Sequence, residues 1–174
     1  MEKFIPEHID PHRYAEQHLR LDGVVKIAEM QRLSTAVNTS NKNDLVTVNL
    51  EFGVDEQKII FIRGQVKTKV LLQCQRCMEP FVCEIMSNFV LGVVNNLDEA
   101  KSLPEHYEPA LTQEGHLALR ELIEDEIILN LPLIPRHEPE DCKVKLPLKD
   151  ADWKKSDKEN PFRVLESLKG KKGS

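Results

Sequence analysis

Cys74 and Cys77 stand two residues apart around Gln75 and Arg76, and two thiolates at that spacing on a tight turn can reach one tetrahedral zinc. A structural zinc needs two more ligands. His137 and Cys142, just past Pro132 and Pro135, can supply them and would pin that segment to the turn. The pattern is permissive, because 59 residues lie between Cys77 and His137 and Cys83 is also available. Reduced thiols that pack or shape a turn fit the same spacing and are the favoured reading, ahead of zinc. Redox chemistry ranks last: a thioredoxin-like thiolate sits at a helix N-terminus, whereas this motif lies between two strand patterns. The element is therefore read as structural or binding, and not as an active site.

Other chemistry is harder to find. Glu124, Asp125 and Glu126 are neighbours on a helical pattern and point in different directions, so only Glu121 and Asp125 share a face. A solvated acidic face is favoured over acid–base catalysis. His8, His12 and His18 are scattered and have no evident partner. No glycine-rich phosphate loop, zincin motif or nucleophile elbow occurs, and the chain holds only seven glycines.

The elements that position these residues follow from hydrophobic period. Val46, Val48, Leu50, Phe52 and Val54 alternate with polar residues, as a half-buried strand requires. After a turn at Asp55 to Gln57, the residues Ile62, Gly64, Val66, Thr68, Val70, Leu72 and Cys74 share one face, so Cys74 points to the core. A third run places Phe81, Cys83, Ile85, Ser87, Phe89, Leu91 and Val93 on one face. Three alternating strands with short links predict an antiparallel meander over about residues 45–94, with 76–80 as its second turn. Asp10 and Pro11 predict a short helix over 11–18. A short strand near Val24 and a short helix over 28–36 come next, and 95–115 reads as a loop with one helical turn at 97–102. Leu119, Leu122, Ile123 and Ile127 make the apolar stripe of a helix over 117–131, ended by Pro132 and Pro135. The expected fold is α+β, with the sheet covered by this helix.

A chain of 174 residues suits one core-bearing domain with an appended arm. The division falls at 137: residues 1–137 form a single α+β domain and 138–174 an extended, partly disordered, basic arm with a short terminal helix. Residues 1–135 hold 13 Lys and Arg against 21 Asp and Glu, and 136–174 hold 11 against 8. Naked nucleic acid is thus disfavoured by the body and better suited to the arm. In the arm, Phe162, Leu165 and Leu168 form a stripe before Lys169, Lys171 and Lys172. That segment either docks on its own domain or contacts a partner. Arg76, Arg163, Lys169, Lys171 and Lys172 are the candidate contacts for RNA or protein. There is no export signal, no run of 18 apolar residues and no dense cysteine framework, so a cytoplasmic protein with reduced thiols is expected.

Several segments taken in order carry a resemblance. They are Ile5-Pro6 with Ile9-Asp10-Pro11, Leu21-Asp22-Gly23, and Leu72-Gln73-Cys74-Gln75-Arg76-Cys77 with Glu79-Pro80-Phe81. Leu103 to Pro109, Glu124 to Pro132, and Asn160-Pro161-Phe162 with Leu165 and Leu168-Lys169 complete the series. On these the chain resembles the bacterial YceD family, the large ribosomal RNA subunit accumulation proteins. The resemblance implies a cytoplasmic, non-catalytic ribosome-biogenesis accessory factor that supports synthesis, processing or stability of large-subunit ribosomal RNA. Its partners would be the RNA precursor or ribosomal proteins. It supplies no catalytic residues. Some relatives carry more cysteines after the proline-terminated helix, whereas this chain has only Cys142 there, which leaves a mixed Cys3His site in place of a cysteine-only one. The alternatives are a metal-dependent RNA-processing enzyme, which would gather Glu124 with an acidic residue of another segment, and a purely structural zinc module.

Overall fold

The computed structural model describes residues 3–37 and 44–143, all within a compact unit spanning Met1–Lys143. Of the predicted C-terminal arm, residues 138–143 are described, whereas 144–174, with the expected helix and Arg163, Lys169, Lys171 and Lys172, lie outside the described residues.

The elements run β1 (His8–Ile9), α1 (Pro11–Glu16), β2 (Arg20–Lys26), a 3-10 turn (Ile27–Glu29), α2 (Gln31–Ala36), β3 (Leu45–Val54), β4 (Ile60–Gln73) and β5 (Pro80–Val94). They continue with α3 (Leu97–Ser102), β6 (Glu108–Leu111), β7 (Leu117–Ala118) and α4 (Leu119–Leu129). The main sheet has the order β2-β3-β4-β5-β6. The expected meander is present and is antiparallel from β2 through β5. At its far edge β6 adds a parallel strand, pairing Leu91 with Glu108 and Val94 with Leu111. β1 and β7 form a separate antiparallel pair.

Strict alternation makes the sheet two-faced. On one side Val46, Val48, Leu50 and Phe52 of β3 and Ile62, Val66 and Val70 of β4 are buried, along with Ile85, Phe89 and Leu91 of β5. This closed face needs a cover, and α1, α2 and α4 provide it through Ala15, Leu33, Leu119, Ile123 and Ile127. Each fully buried aliphatic side chain contributes about 1.5–3 kcal/mol. Gly64 sits where the ring of Phe89 crosses β4, and a Cβ there would meet that ring at 2.1 Å; no larger residue fits. Tyr14 of α1 packs edge-on to Phe52, with centroids 5.1 Å apart.

Capping explains the helix bounds. Asp10 accepts the N–H groups of His12 and Arg13 at the start of α1, with Pro11 in the first helical position. The helix expected over 28–36 is split at Met30, whose backbone is extended (φ -108, ψ 96). The helix expected from Leu117 begins at Leu119, because Leu117 and Ala118 are drawn into pairing with β1. Among the described residues, no helix is long and apolar enough to cross a membrane.

Candidate metal centre

Beyond Lys67 no β3 residue pairs with β4, and the β4–β5 hairpin continues alone to its tip. There the chain turns through Cys74 to Glu79. Cys74 N–H donates to Glu79 O at 2.9 Å and Met78 N–H to Cys74 O at 2.8 Å. Met78 takes a positive φ of 62° to close the turn. The strand period ends with Cys74 on the core side, fully buried, as its register requires.

The segment after α4 returns to this tip. Gln75 N–H donates to Pro135 O at 2.9 Å, and Lys143 Nζ pairs with Glu79 Oε1 at 3.0 Å. Between those two anchors His137 packs its ring against Phe81, with centroids 5.0 Å apart, and brings Nδ1 to 3.3 Å from Cys77 Sγ. Cys142 is buried beside it. The ligand atoms of Cys74, Cys77, His137 and Cys142 all lie within 4.8 Å of one another. Cys83, the competing thiol, stays outside the group on β5.

Three sulfurs and an imidazole nitrogen are a zinc-type donor set. Bonds of about 2.3 Å to sulfur and 2.0 Å to nitrogen place the tetrahedral ligands of such a set about 3.5–3.8 Å apart, so a contraction of roughly 1 Å would enclose the ion. The surroundings favour a thiolate at Cys74. Burial works against a charged Cys74, but the N–H groups of Cys77, His137 and Arg76 and the His137 side chain are directed at its sulfur and outweigh burial, bringing its pKa to about 5. At Cys77 the Glu79 N–H favours the thiolate, yet burial and the neighbouring sulfurs of Cys74 and Cys142 prevail and push its pKa up. A dication at this position would relieve the repulsion that the neighbouring sulfurs exert on a Cys77 thiolate.

Arg76, expected as an RNA or partner contact, is half-buried, and its Nε donates to Cys142 Sγ at 2.9 Å. One of its terminal nitrogens is buried with no hydrogen-bond partner among the described residues. A second site of charge was not evident from sequence: Glu124 and Asp125 of α4 both hold Arg32 of α2. Glu124 is thereby buried and committed. Glu126 is buried too and accepts Ser87 Oγ at 3.0 Å. His8 and His116 lie beside Glu121 and Asp125 around an open cleft, and His12 is exposed at the start of α1.

An α+β protein whose open-ended hairpin carries a clustered Cys3His set able to bind a metal is the class that these coordinates define. Its family follows from comparison with known proteins. The family model described as "Large ribosomal RNA subunit accumulation protein YceD" matches residues 62–169. A protein of Haemophilus influenzae that bears the same description is 38% identical over 176 aligned positions, covering 96% of this chain and 97% of its own. The chain belongs to the YceD family of large ribosomal RNA subunit accumulation proteins. No solved structure matches it.

Proposed function

We propose that this protein is a cytoplasmic, non-catalytic accessory factor in biogenesis of the large ribosomal subunit, supporting synthesis, processing or stability of its RNA. In this reading Cys74, Cys77, His137 and Cys142 hold one structural zinc. The observation that carries the metal is the convergence of four ligand atoms within 4.8 Å from segments far apart in sequence. The relative's description carries the link to ribosomal RNA. A metal at the hairpin tip would fix the segment after α4 against the sheet, and Arg163, Lys169, Lys171 and Lys172 are the proposed contacts for RNA or protein. Met78, Leu133 and Ile134 remain exposed around the tip and suit an apolar contact with a ribosomal protein. Glu124 is engaged with Arg32 and Glu126 with Ser87, which weighs against either serving as a free catalytic carboxylate.

The test has two parts. Metal analysis of purified protein should give about one zinc per chain, falling below half in a Cys77→Ser variant; metal-free native protein would remove the zinc. In cell extracts the protein should co-sediment with large-subunit precursors, and deletion of residues 160–174 should weaken that association. Absence of the full chain from those fractions would overturn the assignment.

A further inference from the structure

The overall acidity of the body conceals a strong separation of charge between its two sides. On the side of α4, Glu114, Glu121, Asp125 and Glu126 surround one cleft of about 880 Å³. Among the described residues, the opposite, uncovered face of β2–β5 carries Arg20, Lys26, Arg63, Lys67 and Lys69 against Asp22, Glu51 and Glu84. Two of the three carboxylates each face two cations, while Asp22 accepts from the Asn49 amide. Glu51 is held by Arg20 and Arg63, and Glu84 is paired with Lys67 and lies in the field of Lys69. Each triplet therefore keeps an excess positive charge.

The geometry of this face suits a single strand of nucleic acid. Along β4 the side chains of Arg63, Gln65, Lys67 and Lys69 follow at alternate positions, about 7 Å apart. Between the two triplets lie amides, with Gln65 donating to Asn88 and Asn49 to Asp22. The face is also bounded. Leu103 and Tyr107 fold over Gly92, where a Cβ would meet Leu103 at 2.9 Å, and Tyr107 donates its hydroxyl to Asp55. That crossing segment leaves exposed His106 at the rim of a shallow depression of about 680 Å³ floored by β2 to β5, whose lining sets Arg20 and Arg63 beside Asp22, Glu51 and Glu108. Aromatic rings and arginine planes stack unpaired bases, amides read their edges and lysines neutralise phosphates.

We propose that the open face of β2–β5 binds single-stranded RNA, with Lys67 and Lys69 on the phosphates and the depression bounded by Arg20, Arg63 and His106 receiving a base. This deepens the proposed function by placing a direct RNA contact on the body, apart from both the metal and the arm. Fluorescence anisotropy of the full chain with a labelled single-stranded RNA of about 20 nucleotides tests it. Lys67→Ala combined with Lys69→Ala should weaken binding at least about tenfold and make the log affinity against log salt slope shallower by about 1.4, the value for two lost phosphate contacts on a single strand. Lys58→Ala with Lys101→Ala removes equal charge off this face and should change affinity less than about twofold. Unchanged affinity and slope in the Lys67/Lys69 variant, with unchanged circular dichroism, would overturn the proposal. So would absence of RNA binding by the wild-type chain, or tighter binding of polyglutamate than of RNA, which assigns the face to an acidic protein. Wild-type co-sedimentation with large-subunit precursors alongside any of those results would leave the accessory-factor reading standing and remove only this surface.

Discussion

The carboxylate of Glu124 accepts the main-chain N–H of Leu33 at 2.9 Å, so that α4 caps a helix 91 positions earlier in the chain. α2 cannot do this for itself, since Met30 stands at its N-cap and offers no side-chain acceptor. The same carboxylate pairs with Arg32, whose guanidinium also reaches Asp125 and the Glu121 carbonyl. The acidic residues expected from sequence to form a solvated face are here the means by which two helices grip each other over the closed face of the sheet, with Glu124 buried.

Replacing Glu124 by Ala should therefore destabilise the protein by about 2 kcal/mol, the sum of a lost cap and a buried N–H left without an acceptor. Glu124→Gln keeps an oxygen for Leu33 and should cost about half as much. Urea unfolding followed by circular dichroism separates the two, and equal losses would mean that the ion pair with Arg32 and not the cap dominates.

Chelation of the metal, or Cys142→Ser, should open the segment that returns to the hairpin tip. The amide of Gln75, bonded to Pro135 O, and the amides of residues 136–143 should exchange with deuterium at least about tenfold faster, whereas those of β3 should keep their protection. Loss of protection across the whole sheet would instead make the metal a requirement for the fold.

Arg76→Met should lower metal affinity by about 10–100-fold, the usual penalty for removing an outer-sphere partner of a ligand. The guanidinium donates to Cys142 Sγ, and with zinc bound it would orient that sulfur and offset the negative charge of the thiolate ligands. Competition with a chromophoric chelator measures it. A Lys at this position keeps the charge without the geometry and should recover part of the loss.

Glu126 supplies a pH signature. Burial raises its pKa, and Glu108 and Asp125 add to the rise, which the Ser87 hydrogen bond only partly offsets. The folded state thus holds this proton more tightly than the unfolded chain, so stability declines as pH rises from the ordinary carboxylate value through the raised one. Above that window the full penalty applies. Glu126→Gln should be more stable than the wild type at pH 7, with a flatter profile through the mildly acidic range; thermal melts at a series of pH values will show it.

What could be read from the sequence was local. The two-residue period of β3, β4 and β5 fixed which way Cys74 faces, and Asp10-Pro11 marked α1, because both signals lie within a few neighbouring residues. His137 and Cys142 could be chosen by ligand type, but no spacing brought them to the turn. That proximity depends on α4 packing across the sheet and on Pro135 meeting Gln75. β6 escaped notice because Glu108-Pro109-Ala110-Leu111 shows no alternation and pairs in parallel with a strand whose partner residues lie 17 positions earlier. Arg76 looks solvated in a turn; only the fold reveals Cys142, 66 positions on, as its partner. The charge separation between the sheet face and α4 was invisible for the same reason, since totals along the chain average over both sides.

Cys77 and His137 meet at 3.3 Å across 60 positions, and the chain between them contains β5, α3, β6, β7 and α4. Any bond that joins these two ends acts on the unfolded chain as well as on the tip. On the chain-entropy treatment of a crosslink, closing a loop of this length removes disorder worth about 4 kcal/mol. A single ion held at the hairpin tip would thus shorten the search by which the second half of the protein finds the first.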